Sequence, residues 1–184
     1  MQSTPLRSLL LVSLLSFASA PMLLGGTPPD SRIRGDRLDA LRATLEQAGE
    51  ALQSGDTGQA GRCYTEVIET LDADVRPSLL LARAVDGLAD VRRVEGRLDQ
   101  AETGYLRAAE LWAELLGDDQ PRLAVTLHNL AAVRMARGDL AAAEAPLKRA
   151  LEIFDRMLGA ASSQANGSRR ALAELERRRA GEAG

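Results

Sequence analysis

The sequence is poor in most of what site chemistry draws on. Its 184 residues hold one cysteine, Cys63, and one histidine, His128. A single thiol excludes an intramolecular disulfide and a cysteine-rich metal site, and a single imidazole excludes every site that needs two. Aromatic residues make up only 3% of the chain, too few for the β-branched and aromatic fillings that strands favour. No excess of one charge is present either: 23 Lys and Arg stand against 26 Asp and Glu, a formal net charge of -3. Nothing in that balance draws the chain to nucleic acid. Lysine itself is nearly missing, since Lys148 is the only one. What recurs instead is Ala, Leu, Arg and Glu, within 45% hydrophobic and 27% charged content. That is the make-up of a helical globular domain.

The first 20 residues contain no acid and one base, Arg7, then an apolar run from Leu9 through Phe17 and the small residues Ala18, Ser19 and Ala20. A positive start, an apolar stretch and a small-residue zone are the three parts of a secretory signal peptide. The alternative is a buried N-terminal helix of the fold. Pro21 disfavours cleavage after Ala20, which leaves the bond after Ala18 as a competitor. The run is short beside the roughly 20 residues of a membrane span, and no cysteine follows it to carry a lipid. The expectation is export to the periplasm or the medium with residues 1–20 removed, so that no stable membrane insertion remains; an uncleaved membrane anchor is the alternative. Gly25, Gly26, Pro28, Pro29 and Gly35 mark residues 21–35 as a flexible linker, and the folded domain is expected over residues 36–180.

Sliding the sequence against itself shows a repeat. At an offset of 42, Leu88-Ala89 meets Leu130-Ala131, Val91 meets Val133, Gly96 meets Gly138, Ala101-Glu102 meets Ala143-Glu144, Ala108 meets Ala150 and Trp112 meets Phe154. An offset of 41 carries the middle copy back onto Ala48, Gly55, Ala60, Tyr64 and Leu71. Past the third copy, Leu130, Ala131 and Val133 project onto Leu172, Ala173 and Leu175, so a fourth unit begins and stops after one helix. Its end, with Glu174, Glu176, Arg177, Arg178 and Arg179, has the polar character of a solenoid cap.

Each unit divides at its glycine into two helices. Leu123, Leu127, Leu130 and Ala131 keep the three- and four-residue spacing of one helical stripe, and Leu140, Ala143, Leu147, Ala150, Leu151, Phe154 and Leu158 keep another. Gly138 suits the left-handed residue that ends a helix, and Asp139 is placed to cap the next. The register predicts helices over residues 37–53, 57–71, 78–95, 98–116, 121–137, 140–158 and 164–180. They group into units 37–76, 77–118 and 119–160 with a cap at 163–180. Helices of this length cannot bury their stripes alone and must stack, and the small residues Ala131, Ala143 and Ala150 allow close approach of the axes. The expected fold class is therefore all-α, a right-handed superhelical solenoid of about three helix-turn-helix repeats with a C-terminal capping helix.

The stretch Thr126, Leu127, His128, Asn129, Leu130, Ala131 to Gly138, then Ala143-Glu144, Leu147, Ala150, Leu151, Ile153 and Leu158-Gly159, resembles the tetratricopeptide repeat. It is most similar to the 42-residue variant of kinesin light chains; Leu88 to Gly117 follows the same pattern, and the resemblance spans residues 38 to 180. Arg92 and Arg134 depart from it where the family has an aromatic residue, and Gly87 and Glu46 stand where Asn129 supplies the asparagine. The resemblance implies that the first helices of successive units line a concave groove for a peptide. Asn129 carries over directly, and helical spacing adds Arg122, with Arg83, Gly87 and Asp90 in the second unit and Arg42 and Glu46 in the first. The partner-binding candidates are thus Asn129, Arg83, Arg122, Arg42 and Asp90. Arginine forks suit an acidic or C-terminal carboxylate peptide; plain solvation of these arginines is the alternative.

No set of residues suggests catalysis. Cys63 and His128 lie in different units; a buried inert thiol and a packing or surface histidine are expected. Asp118-Asp119 and Glu174 with Glu176 read as solvated acids, and Trp112 and Phe154, at matched positions, as core. Asn166-Gly167-Ser168 fits a weak glycosylation pattern. The expected function is an exported, non-enzymatic adaptor or scaffold that holds a protein or peptide partner, with no cofactor and no metal. A self-associating structural repeat protein, a homo-oligomer, is the alternative.

Overall fold

The computed structural model describes residues 29–72 and 78–182. The expected signal peptide, residues 1–20, lies outside the described residues, as does most of the expected linker. Seven α-helices and no strand occur among the described residues: α1 Pro29–Gln53, α2 Thr57–Asp72, α3 Leu79–Val94, α4 Leu98–Leu116, α5 Pro121–Arg137, α6 Leu140–Leu158 and α7 Ser163–Glu182. Each helix packs on the next in chain order, and the first helices of neighbouring units also meet, α1 with α3 and α5 with α7. The bounds of α4, α5 and α6 are those the register predicts, and α2, α3 and α7 differ by a residue or two. The exception is α1, which begins at Pro29 rather than near Arg37 and takes in part of the expected linker. A proline at the first helical position gives up no hydrogen bond. Gly35, read as loop punctuation, costs a helix interior only about 1 kcal/mol.

The turns are built as their residues require, with one correction. Gly138 ends α5 at φ 86°, ψ 2°, in the left-handed region, and the Asp139 N–H donates to the Arg134 carbonyl at 2.8 Å. Both features close the orphaned last turn of α5. Asp139 occupies the N-cap of α6, but its side chain makes no capping hydrogen bond; it lies 3.3 Å from Arg137 Nε instead. Capping by a side chain is found at Asp56, which accepts from the Gln59 N–H at 2.8 Å, and at Ser78, which accepts from the Leu81 N–H at 3.1 Å.

Alanine makes the seams between helices. Ala48, Ala60, Ala89, Ala101, Ala131, Ala143 and Ala150 are all fully buried, and side chains this small allow the axes to approach closely where they meet. Trp112 and Phe154 fill the wider spaces as buried core residues, each contributing roughly 1.5 to 3 kcal/mol through burial. Cys63 packs against the core only partly buried, more open than the buried thiol expected.

Arg134 replaces the expected aromatic with a polar tie between units. Its side chain is 19% exposed; Nε donates to Glu102 on α4 at 2.8 Å, and a second guanidinium nitrogen donates to the Ala142 carbonyl at 3.0 Å. That carbonyl is orphaned because Pro146, four residues on and inside α6, has no N–H. One arginine therefore repairs the helix that the proline interrupts and ties α4 to α5.

The fourth unit closes the stack as a cap. Leu175 is buried in one cluster with Ala131, Ala143 and Leu147. Fully buried Ser168 meets His128 Nδ1 at 3.0 Å, joining α7 to α5. The outer face carries Arg178 on Glu174 and Arg179 on Glu144. The glycosylation reading of Asn166 loses its support, because the tripeptide lies within α7 and its serine is a buried packing residue.

Candidate functional site

The first helices line one cavity of about 370 Å³. From α1 come Leu45, Glu46, Gly49, Glu50 and Gln53, from α3 Arg83, Asp86, Gly87 and Asp90, from α5 Arg122, and from the second helix of the first unit Tyr64. The spacing within α1 and within α3 is that of a single helical face, so the register that buries the opposite faces also presents these. A volume of this size lies within the ~300 to 1,000 Å³ of ligand pockets.

Asp90 is the best-fixed group in the cavity. Its Oδ1 accepts from the Tyr105 hydroxyl at 2.5 Å, from the Arg93 guanidinium at 3.3 Å and from the Asn129 amide at 3.4 Å. Arg93 Nε donates in turn to the Tyr105 oxygen at 3.2 Å. Burial first, and then the Asp90 carboxylate, hold the Tyr105 hydroxyl well above its ordinary pKa. One helical turn back, Asp86 Oδ1 accepts from the Thr126 hydroxyl at 3.0 Å. Asp86 is 9% exposed, and its pKa is pushed up to about 7, by burial first and by Asp90 second. Thr126, Arg122 and the Trp112 indole offset part of that rise. The indole N–H is buried near the Asp86 carboxylate but has no partner in hydrogen-bond geometry. Burial and the field of Asp90 also raise the Tyr64 pKa, with Arg83 opposing.

Three of the five binding candidates, Arg83, Asp90 and Arg122, line this cavity together. Asn129 does not line it; its amide is turned onto Asp90, so it positions a groove carboxylate. Arg42 is apart from the cavity, exposed and paired with Asp39 at 2.8 Å on its own helix. Gly87, which breaks the family asparagine pattern, does so for a steric reason: a Cβ there would stand 2.7 Å from the Tyr64 hydroxyl oxygen. Glu50, Asp86 and Tyr64 were absent from the candidates. Glu50 and Asp86 lie one turn from Glu46 and Asp90, so helical spacing could have found them. Tyr64 comes from a second helix, and no first-helix rule reaches it.

Neither Cys63 nor His128 lines the cavity. No cluster of metal-ligating side chains occurs among the described residues. His128 and Ser168 touch, but Ser168 is fully buried and the pair has no carboxylate hydrogen-bonded to it among the described residues. Among the described residues, no helix is long and apolar enough to cross a membrane.

Residues 80–156 match the tetratricopeptide repeat family. Among solved structures, the chain is similar to BtubC (BKLC) from P. vanneervenii, at 25% identity and a TM-score of 0.67, covering 79% of this chain and 59% of that one. It is also similar to the nearly identical repeats of a kinesin-light-chain-type protein of Podosopora anserina, at 20% identity and a TM-score of 0.66, covering 74% and 65%. The TPR2B domain of yeast Sti1, solved as a complex with pHsp70, matches at 17% identity and a TM-score of 0.61, covering 75% and 97%. The chain thus spans less than two thirds of the first two structures, and the likenesses below 25% identity speak to the fold. No curated protein matches the sequence.

Proposed function

We propose, from the tetratricopeptide repeats formed by residues 80–156, that this chain is an exported, non-enzymatic adaptor that holds a peptide or protein partner in the groove of its first helices. The observation that carries this reading is convergence. Side chains from all three units meet around one open cavity, while no other grouping among them has the parts of an active site. A neighbour of the same fold, the TPR2B domain of Sti1, was solved with a bound partner, which supports the same use of the surface here. Arg83, Arg122 and Asp90 are assigned to direct contact, and Asn129 to holding Asp90 in place. Export rests on the order of charge, apolar run and small residues in residues 1–20.

Two experiments test the reading. A photo-crosslinking amino acid placed at Gln53, an exposed residue at the groove, is expected to trap a partner in the producing cell, whereas the same probe at exposed Lys148 on α6 is not. Equal adducts from both positions would move binding off the groove. N-terminal sequencing of the exported chain is expected to find Ser19 or Pro21; a retained Met1 or Gln2 would replace removal with anchoring.

A further inference from the structure

The charges of the groove sit at different depths. Arg83, Arg122, Glu46 and Glu50 are exposed at its mouth, whereas Asp86 is 9% exposed and Asp90 is half-buried. Depth decides which sign dominates. A unit charge pair at about 4 Å is worth ~1 kcal/mol in water and ~4 at an effective dielectric of 20, so a cation seated beside the inner carboxylates, Asp86 once ionised and Asp90 already paired with Arg93 at 3.3 Å, gains more than one at the mouth. Both inner carboxylates are also half-used: among the described residues the hydrogen bonds they accept all fall on Oδ1, three on Asp90 and one on Asp86, and none falls on Oδ2. A third group lacks a partner. The Tyr64 side chain is 7% exposed and lines the same cavity, yet its hydroxyl makes no hydrogen bond among the described residues.

We propose that this cavity receives the basic side chain of a peptide partner, a lysine or arginine, between Asp86 and Asp90, with the Tyr64 oxygen as a further acceptor. The inference rests on the groove reading above and names the chemistry of its occupant. It replaces the acidic peptide that the arginines alone suggest: Arg83 and Arg122 remain at the mouth, where they suit acidic residues flanking the basic one. The charged and titratable groups around Asp86 and Asp90 are Glu46 and Glu50 on α1, Tyr64 on α2, Arg83 and Arg93 on α3, Tyr105 on α4 and Arg122 on α5; the Thr126 hydroxyl donates to Asp86, the Tyr105 hydroxyl and the Arg93 guanidinium donate to Asp90, and the Trp112 indole lies near Asp86 without a hydrogen bond. Burial and Asp90 keep Asp86 protonated up to about pH 7. An entering cation favours its ionised form, so binding releases a proton and tightens as the pH rises from 6 to 8.

The test is selection of a random dodecapeptide phage library on the full chain, followed by fluorescence anisotropy with the selected peptides. The selected peptides are expected to share a Lys or Arg. Replacing it by uncharged norleucine should weaken binding about tenfold or more. Asp86→Asn, which keeps the shape of the cavity, should do the same and should also abolish the tightening between pH 6 and 8, while Glu46→Gln at the mouth should weaken binding only a few fold. Peptides that bind with no basic residue, yet lose affinity on Gly87→Asn, which displaces the Tyr64 ring that lines the cavity, overturn the cationic occupant and leave the groove reading standing. Peptides indifferent to every groove substitution, or a library that yields none, overturn both. If the chain instead self-associates and Glu46→Gln with Asp86→Asn dissolves the assembly, the occupant is a second copy and the proposal fails.

Discussion

Replacing Asp86 with Asn should stabilise the protein, and only above acidic pH. In the folded chain Asp86 titrates near 7, against 3.8 unperturbed. Between those values the folded state holds a proton that the unfolded chain has released, so stability falls as the pH rises through that window and the full penalty is present above it. A rise of about 3 units is worth roughly 4 kcal/mol at 1.36 kcal/mol per unit. Water in the adjoining cavity screens part of this, which brings the expected gain to ~1 to 3 kcal/mol. Asn keeps an oxygen for the Thr126 hydroxyl to donate to and never ionises. Urea unfolding of both proteins at pH 4.5 and 8.5 reads the difference directly, since any fixed effect of the amide cancels between the two conditions. The stability of Asp86→Asn relative to the native chain should be far greater at pH 8.5 than at pH 4.5. An equal offset at both would show that burial and Asp90 do not raise the Asp86 pKa.

Three further substitutions probe the packing. Gly87→Asn restores the family residue but collides with the Tyr64 ring, so it should cost ~1 to 3 kcal/mol by overpacking; a neutral result in thermal unfolding would mean that Tyr64 does not lie over Gly87. Arg134→Leu restores an apolar residue but leaves the Ala142 carbonyl without its donor and Glu102 with Arg137 alone. A loss of ~1 to 3 kcal/mol in urea unfolding is expected, and a gain would show that the aromatic-like packing outweighs the polar tie. Ala143→Leu should cost ~1 to 3 kcal/mol at the fully buried α5–α6–α7 seam; an unchanged denaturation midpoint would count against the register.

The architecture was legible because it is periodic. Matched glycines, alanines and leucines recur at 41 and 42 residues, and each has a single structural use. Features that depend on one side chain meeting another across the stack left no such trace. Asp139 sits at a cap position yet turns to Arg137. Arg134 departs from the family pattern, and its guanidinium supplies the Ala142 carbonyl that Pro146, inside α6, leaves without a donor. The groove was legible as a face but not as a balance of charge. Arg83, Asp90 and Arg122 follow from spacing, whereas the weight of Asp86 depends on its depth beside Asp90 and Trp112, which no linear pattern encodes. Asn129 lies on α5, and its amide serves Asp90.

The central claim, that a partner occupies the groove of the first helices, is tested most directly by amide chemical-shift mapping of the isotope-labelled chain with a peptide selected from the library. The largest shifts are expected at residues 46–53, 83–90 and 122, with α6 around Lys148 unchanged. Shifts centred on α4 and α6, with those three segments silent, would contradict the account.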